Sequence, residues 1–316
     1  MSLNPLSLFR AMPGSIAQGM IWGVMALGVY ITFRLLDFAD LTVDGSIATG
    51  AAVSVMLIRA GVSPIATLPI AFLAGALAGM VTGLLNTALG IPGILASILT
   101  QISLYSINLN IMGKANQPVS VDNYPLVVSL RYVTDGSVSR LLFFLGMIVF
   151  LLALIAAVSY THLRAHETVL EQGHAIRATG CNGNMARAQG INTNFIKVLA
   201  LMISNGLVGL CGALYGQFQG AADVNMGRGA IVIGLAAVII GEVLFGKFAS
   251  KRKLAFAFTL ASVILGAVIY YMVYQFVLWL KMPSEDMKLF SAIVVAIFLA
   301  IPYLKEKRTL RKGASK

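Results

Sequence analysis

The chain has 316 residues, 58% of them hydrophobic and only 11% charged, with a mean hydropathy of +0.86. An ordinary soluble domain carries roughly 25% charged residues, so nothing here encloses a soluble enzyme and the bilayer must act as solvent. A formal net charge of +11 would nominate nucleic acid for a soluble chain, but the positions of the cations exclude that partner. Fourteen of the 23 lysines and arginines lie in 160–197, 247–253 and 305–316, each beside an apolar stretch, as the positive-inside rule expects of cytoplasmic loops.

A spanning helix needs about 20 mostly apolar residues whose backbone groups are satisfied within the segment. Windows of that kind predict helices near 14–33, 44–60, 64–89, 93–112, 140–160, 196–216, 229–246, 254–280 and 289–304. The fold class is therefore all-α, a polytopic integral membrane protein with 8–10 transmembrane helices in a single domain, 1–316. No basic region, short apolar core and small-residue cleavage site open the chain, so the first span is expected to stay in the mature protein. Cys181 and Cys211, one in a polar loop and one in an apolar span, argue against a disulfide framework.

Setting the basic tail 305–316 in the cytoplasm places 281–288 outside, 247–253 inside, 217–228 outside, 160–197 inside and 113–139 outside, so all three basic clusters share one side. Nine crossings then put the N-terminus outside, unless an early segment fails to cross. Leu36 to Ser46, with Asp37, Asp40 and Asp44 followed by Gly45 and Ser46, is the segment in question. It reads either as a solvated loop with a helix cap at Asp44 or as part of a discontinuous helix near 36–60 lining a polar cavity.

Further along, the Gly90-Ile91-Pro92-Gly93 turn divides a charge-free stretch between Arg59 and Lys114 into two helices. Gly75, Gly79 and Gly83, and again Gly212, Gly216 and Gly220, recur every fourth residue, placing small faces where helices approach closely. Glu242 lies inside a cytoplasmic membrane boundary, where an ionised carboxylate needs a partner, and Lys247 is the local candidate. Asp223 and Arg228 form a local ion pair, meet an external partner, or line the outer mouth. Amides in hydrocarbon seek partners or water, so Asn86, Gln101, Asn108, Asn110, Asn205 and Gln217 are lining candidates. With Asp44 and Glu242, the pathway set is Asp44, Asn86, Asn108, Asn205, Gln217 and Glu242.

Two apparent chemical motifs fail. Gly241 to Phe248 matches a phosphate-binding loop until Phe248 stands where a magnesium-holding hydroxyl belongs, and it ends an apolar helix. His162 and His166 share helical spacing, but the cluster with His174 and Glu167 is not read as a metal site. No catalytic residue, metal ligand or cofactor is expected. The chain is not read as an enzyme, since no Ser/His pair or paired catalytic aspartates occur in the spans.

The loop 160–197 is too long for a plain connector. Its stretch from Glu171 to Asn192 is rich in small residues and glycine breaks and carries Arg177 and Arg187. It fits short helices lying on the membrane surface, or a docking element whose arginines pair with carboxylates or helix ends of a partner.

Ala175-Ile176-Arg177-Ala178-Thr179-Gly180, Asn182, Met185-Ala186-Arg187-Ala188 and Gly190-Ile191-Asn192 resemble the cytoplasmic coupling loop of ABC-importer permeases of the branched-chain amino acid and ribose type. The likeness extends to Asp40–Ser46, Gly90–Ala96 and Ile239–Gly246, and so covers nearly the whole chain. Within that family the chain is most similar to a subset associated with tryptophan or tyrosine uptake. Val158 to Leu170 departs from the pattern, and Ser159–Thr168 resembles translated sequencing-adaptor read-through, so no function is assigned there.

The resemblance implies a plasma-membrane importer subunit passing a small polar solute, an amino acid in the first instance. It further implies separate cytoplasmic ATPase subunits gripping the loop, an extracytoplasmic solute-binding protein, and a second permease subunit making a homodimer. The loop contacts would come from Ala175, Ile176, Arg177, Ala178, Thr179, Gly180, Asn182, Ala186, Arg187 and Gly190. The rival reading is an ion-coupled secondary transporter that uses Asp44 or Glu242 as its ion site and needs no ATPase.

Overall fold

The computed structural model describes residues 5–134, 137–163, 169–249 and 255–280, with isolated helical positions between 289 and 300. Most of the expected 289–304 span, the basic tail and residues 164–168 lie outside the described residues, as do the side chains of His162 and Lys247.

Helix α1 (Pro5–Val29) runs on into a π-helical segment (Tyr30–Leu35). After a six-residue connection come α2 (Thr42–Arg59), α3 (Pro64–Thr87) and α4 (Gly93–Met112). A short strand β1 (Asn116–Pro118), a one-turn α5 (Leu130–Thr134) and α6 (Ser137–Leu163) follow. The long polar loop forms α7 (Val169–Cys181) and α8 (Gly183–Ala188), and the chain re-enters as α9 (Thr193–Gln219). Strand β2 (Ala221–Asp223), α10 (Ala230–Ala249) and α11 (Ala255–Trp279) complete the described part.

Six of these helices are long and apolar enough to cross a membrane among the described residues, and α10 is a shorter apolar helix. Helix α2 is not among them, because its Gly, Ser, Thr and Asp residues dilute its hydropathy. It is instead almost wholly enclosed by other helices, which is what permits polar side chains at membrane depth. The apolar window of α1 is 83% buried and that of α9 72%, against 28% for α4 and α6. Two central helices thus carry the core, while Leu141, Leu142, Leu145, Val149 and Leu152 of α6 stand exposed, as lipid-facing residues should.

Antiparallel pairing of β1 with β2 closes one end of the bundle. Gly14 of α1 lies near Leu130 of α5 at this hairpin end, and Gly180 of α7 is pressed against Leu35 and Leu36 at the other. Helix α1 therefore runs from the hairpin end to the α7 end, and α2 turns back towards the hairpin. The start of α1 at Pro5 therefore lies at the same end as the β1–β2 pairing.

Glycines set the helix spacing. A Cβ at Gly75 would overlap the Asn205 carbonyl oxygen, one at Gly79 the Leu201 carbonyl, and one at Gly83 would lie 2.9 Å from Val198 Cα. The first ladder is thus the seam between α3 and α9. On another face of α9, Gly212 abuts the Ile47 carbonyl and Gly216 lies against Ala51 of α2. Gly220 departs from this pattern: it caps α9 in the left-handed conformation at φ 73°, a geometry that favours glycine.

Candidate translocation pathway and coupling segment

The connection 36–41 is only partly solvated: Asp37 and Ala39 are exposed, while Leu36 and Asp40 are buried. Asp40 is 1% exposed, its Oδ1 accepts from the Thr42 amide at 2.9 Å, and its Oδ2 accepts from Asn205 Nδ2 at 2.6 Å. Asn205 stands twelve residues into α9, about 18 Å along it at 1.5 Å per residue, so α2 starts well within the bundle. Neither reading holds as stated, because Asp40 is withdrawn from solvent while α2 itself runs unbroken from Thr42 to Arg59. Asp37, at φ +54°, makes the turn as the only non-glycine residue with positive φ among the described residues.

Asp44 caps a helix, but not its own. Its two carboxylate oxygens accept from the Gly229 amide at 2.9 Å and the Ile231 amide at 3.0 Å, so it closes the N-terminus of α10, where a negative charge is favoured. Helices α2 and α10 therefore both begin inside the fold, with polar termini facing each other.

A polar chain continues from this junction. Ser46 Oγ donates to Asn205 Oδ1 at 2.6 Å, Thr42 and Thr82 hydroxyls lie 2.7 Å apart, and Thr82 donates to Thr100 at 2.9 Å. Asn108 is fully buried; its amide reaches the Gly45 carbonyl at 3.5 Å and its Oδ1 has no partner among the described residues. Towards the hairpin end, Gln217 accepts from the Val127 amide at 3.0 Å and donates to Ser54 at 3.3 Å. Asn86 braces the α3–α4 turn by donating to the Ile91 carbonyl at 2.8 Å. The six pathway candidates are accordingly dispersed: Asp44 and Asn108 share an open cleft, Asn205 and Gln217 are buried cross-links, and Asn86 and Glu242 lie nearer the α7 end.

Glu242 pairs with Arg34 of the π segment at 2.9 Å. Sequence spacing pointed instead to Lys247, and no local rule finds a partner 208 positions away. The expected Asp223–Arg228 pair does not form among the described residues, because Asp223 accepts from the Asn116 side chain at 3.4 Å and the Asn225 amide at 2.7 Å.

At the α7 end, α7 and α8 make an angular platform. A Cβ at Gly180 would overlap the Leu35 carbonyl oxygen, so only glycine lets α7 seat on the end of α1. Ala175, Ile176, Thr179 and Ala186 are buried beneath the platform, while Arg177, Asn182, Arg187 and Gly190 are exposed and Ala178 is half-buried. Asn182 caps α8, accepting from the Asn184 and Met185 amides at 3.1 and 3.0 Å. Arg187 Nε donates to Thr193 at 2.8 Å, and Arg177 sits 5.1 Å from the Phe256 ring centroid, within cation–π range. Met185 and Phe195, 63% and 56% exposed, project apolar groups from the platform whose exposure depends on how α7, α8 and α9 turn.

Residues 12–302 match the family described as branched-chain amino acid transport system / permease component. The chain belongs to this permease family. A tyrosine transport system permease protein of Clostridioides difficile is 39% identical over 90% of the permease and 89% of its own length. An uncharacterized Rickettsia prowazekii protein is 31% identical over 90% and 95%, and the inner membrane ABC transporter permease protein YjfF of Escherichia coli is 27% identical over 70% and 64%. No solved structure matches. The permease is a multi-pass plasma-membrane protein of an ABC-type transport system, from a family of transporters and not enzymes.

Proposed function

We propose that the chain is the membrane-spanning subunit of an ATP-driven amino-acid importer with tyrosine as the leading substrate. In this reading its α7–α8 platform faces the cytoplasm and seats a separate ATPase subunit. An extracytoplasmic binding protein delivers substrate to the hairpin end, and a second copy of the chain completes the passage. Similarity to a tyrosine transport permease over nine-tenths of the chain supports the substrate class.

One observation carries the coupling role: the tight seat of α7 on the π-helical end of α1 at Gly180. A push on the platform is delivered through packed backbone to α1, and through Phe38, against which Gly93 lies, to the start of α4. Packed interfaces of this kind switch between discrete arrangements and do not stretch. Arg177, Arg187 and Met185 supply the exposed docking groups, with Ala175, Ile176, Thr179 and Ala186 holding the platform together. Asp44, Asn108, Asn205 and Gln217 mark the passage, and Glu242 ties the α10 end to α1. The ion-coupled alternative would use Asp44 or Glu242, and Glu242 is already engaged by Arg34.

Reconstitution with an ABC ATPase subunit and an amino-acid-binding protein from the same source tests the proposal. Wild-type complexes should accumulate L-tyrosine only with ATP inside the vesicle compartment that exposes α7. Gly180→Val should reduce uptake to background while leaving the chain inserted and the ATPase able to hydrolyse. Uptake by the chain alone on an ion gradient would contradict the assignment.

A further inference from the structure

Beside the Asp44 junction, α2, α4 and the turn 224–228 enclose an open cleft of about 280 Å³ whose lining includes Asp44, Gln101, Tyr105, Asn108 and Arg228. Three features of this lining belong together. Arg228 is exposed, and no carboxylate lies within salt-bridge distance of it among the described residues. A guanidinium in that situation presents a planar fork suited to a carboxylate. Asn108 is fully buried at the cleft, yet its Oδ1 has no donor, and an orphaned buried acceptor calls for an explanation. Asp44 spends one acceptor position of each oxygen on a backbone amide, and a carboxylate offers about four such positions, so both oxygens can accept again.

We infer that this cleft binds the amino acid itself during passage: Arg228 takes the α-carboxylate, Asn108 Oδ1 and Asp44 take the ammonium, and Tyr105 with Ile102 flanks the side chain. The complementarity is that of a zwitterion, one fixed cation and a cluster of acceptors within a single cleft. A neutral sugar would leave Arg228 and Asp44 with no charge to meet, at the cost of stripping water from both. Tyr105 adds an aromatic face that is 42% exposed, suited to stacking on an aromatic side chain. The inference rests on the amino-acid reading above and narrows it to the groups that recognise the solute within the membrane subunit.

The test uses the full chain in nanodiscs and the complete importer in vesicles. Labelled L-tyrosine is the probe, with tyramine, which lacks the carboxylate, and 3-(4-hydroxyphenyl)propanoate, which lacks the ammonium, as competitors. Arg228→Gln should weaken L-tyrosine and the propanoate about tenfold or more, as expected when a charge-assisted contact is lost, and leave tyramine unmoved; Arg228→Lys should restore part of the loss. Asn108→Leu should weaken L-tyrosine and tyramine and spare the propanoate. A general loss of folding would move all three ligands together, and that result overturns the assignment of Arg228. If the importer moves L-tyrosine while Arg228→Gln leaves binding and half-saturation unchanged, the cleft assignment falls and the amino-acid reading stands. If the wild-type importer moves no amino acid, both fall.

Discussion

Replacing Asn205 with leucine should lower the stability of the chain by about 2–3 kcal/mol, the upper range for stripping a buried polar group of its partner. Asn205 holds three groups at once: it donates to Asp40 at 2.6 Å and to the Leu201 carbonyl at 3.1 Å, and accepts from Ser46 at 2.6 Å. Leucine has the same number of side-chain heavy atoms but leaves Asp40, 1% exposed, with Thr42 as its remaining partner. The cost therefore comes from a buried carboxyl group stripped of a partner and not from a cavity. Thermal unfolding in detergent followed by size exclusion should show a midpoint several degrees lower, whereas Thr100→Val, at the end of the hydroxyl chain, should cost only about 1 kcal/mol. Equal midpoints for the two variants would mean that Asp40 is not held by Asn205.

Gly212→Val should be as damaging, for a steric reason. The new Cβ would overlap the Ile47 carbonyl oxygen of α2, with Ile47 Cα 3.0 Å away. Backbone cannot rotate out of the way as a side chain can, so the two helices must separate. Overpacking usually costs 1–3 kcal/mol, and a backbone obstacle puts this site at about 3 kcal/mol or above. Separation would also pull Ser46 from Asn205 and open the junction at Asp44, so assembled protein should fall sharply in membrane fractions. Gly146→Ala is the matched control. Beyond the helix's own nearby backbone, no heavy atom among the described residues lies within 4 Å of its added Cβ on α6, and the gain in helix propensity of about 1 kcal/mol makes it neutral or stabilising. Similar yields for Gly212→Val and the wild type would contradict the tight seam between α2 and α9.

What the sequence discloses about this molecule follows the range of its signals. Hydropathy and cation placement act within a window of about twenty residues. They locate α3, α4 and α9 within a few residues and put 113–139 and 217–228 at one end, where β1 and β2 indeed pair. The glycine spacing likewise announces close helix contacts, although it cannot say that both ladders serve α9, nor that Gly220 is a cap. The Asp37–Asp44 segment leaves two readings open, because the deciding partners, Asn205 for Asp40 and the Gly229 and Ile231 amides for Asp44, lie more than 160 residues away. Glu242 illustrates the same limit, since its partner Arg34 shares no local periodicity with it. In the coupling segment the arginines are conspicuous in sequence. The exposure of Met185 and the cap made by Asn182 depend on how α7 and α8 turn.

The chain supplies its own probe for the central claim, that a platform on the cytoplasmic face receives the ATPase and drives the helices above it. Cys181 ends α7 and is exposed, and Cys211 is buried in α9. A membrane-impermeant maleimide should modify Cys181 in inside-out vesicles and not in right-side-out ones, and bound ATPase subunit should slow that modification while Cys211 stays unmodified throughout. Modification of Cys181 from the outer face, or an unchanged rate with the ATPase bound, would contradict the account.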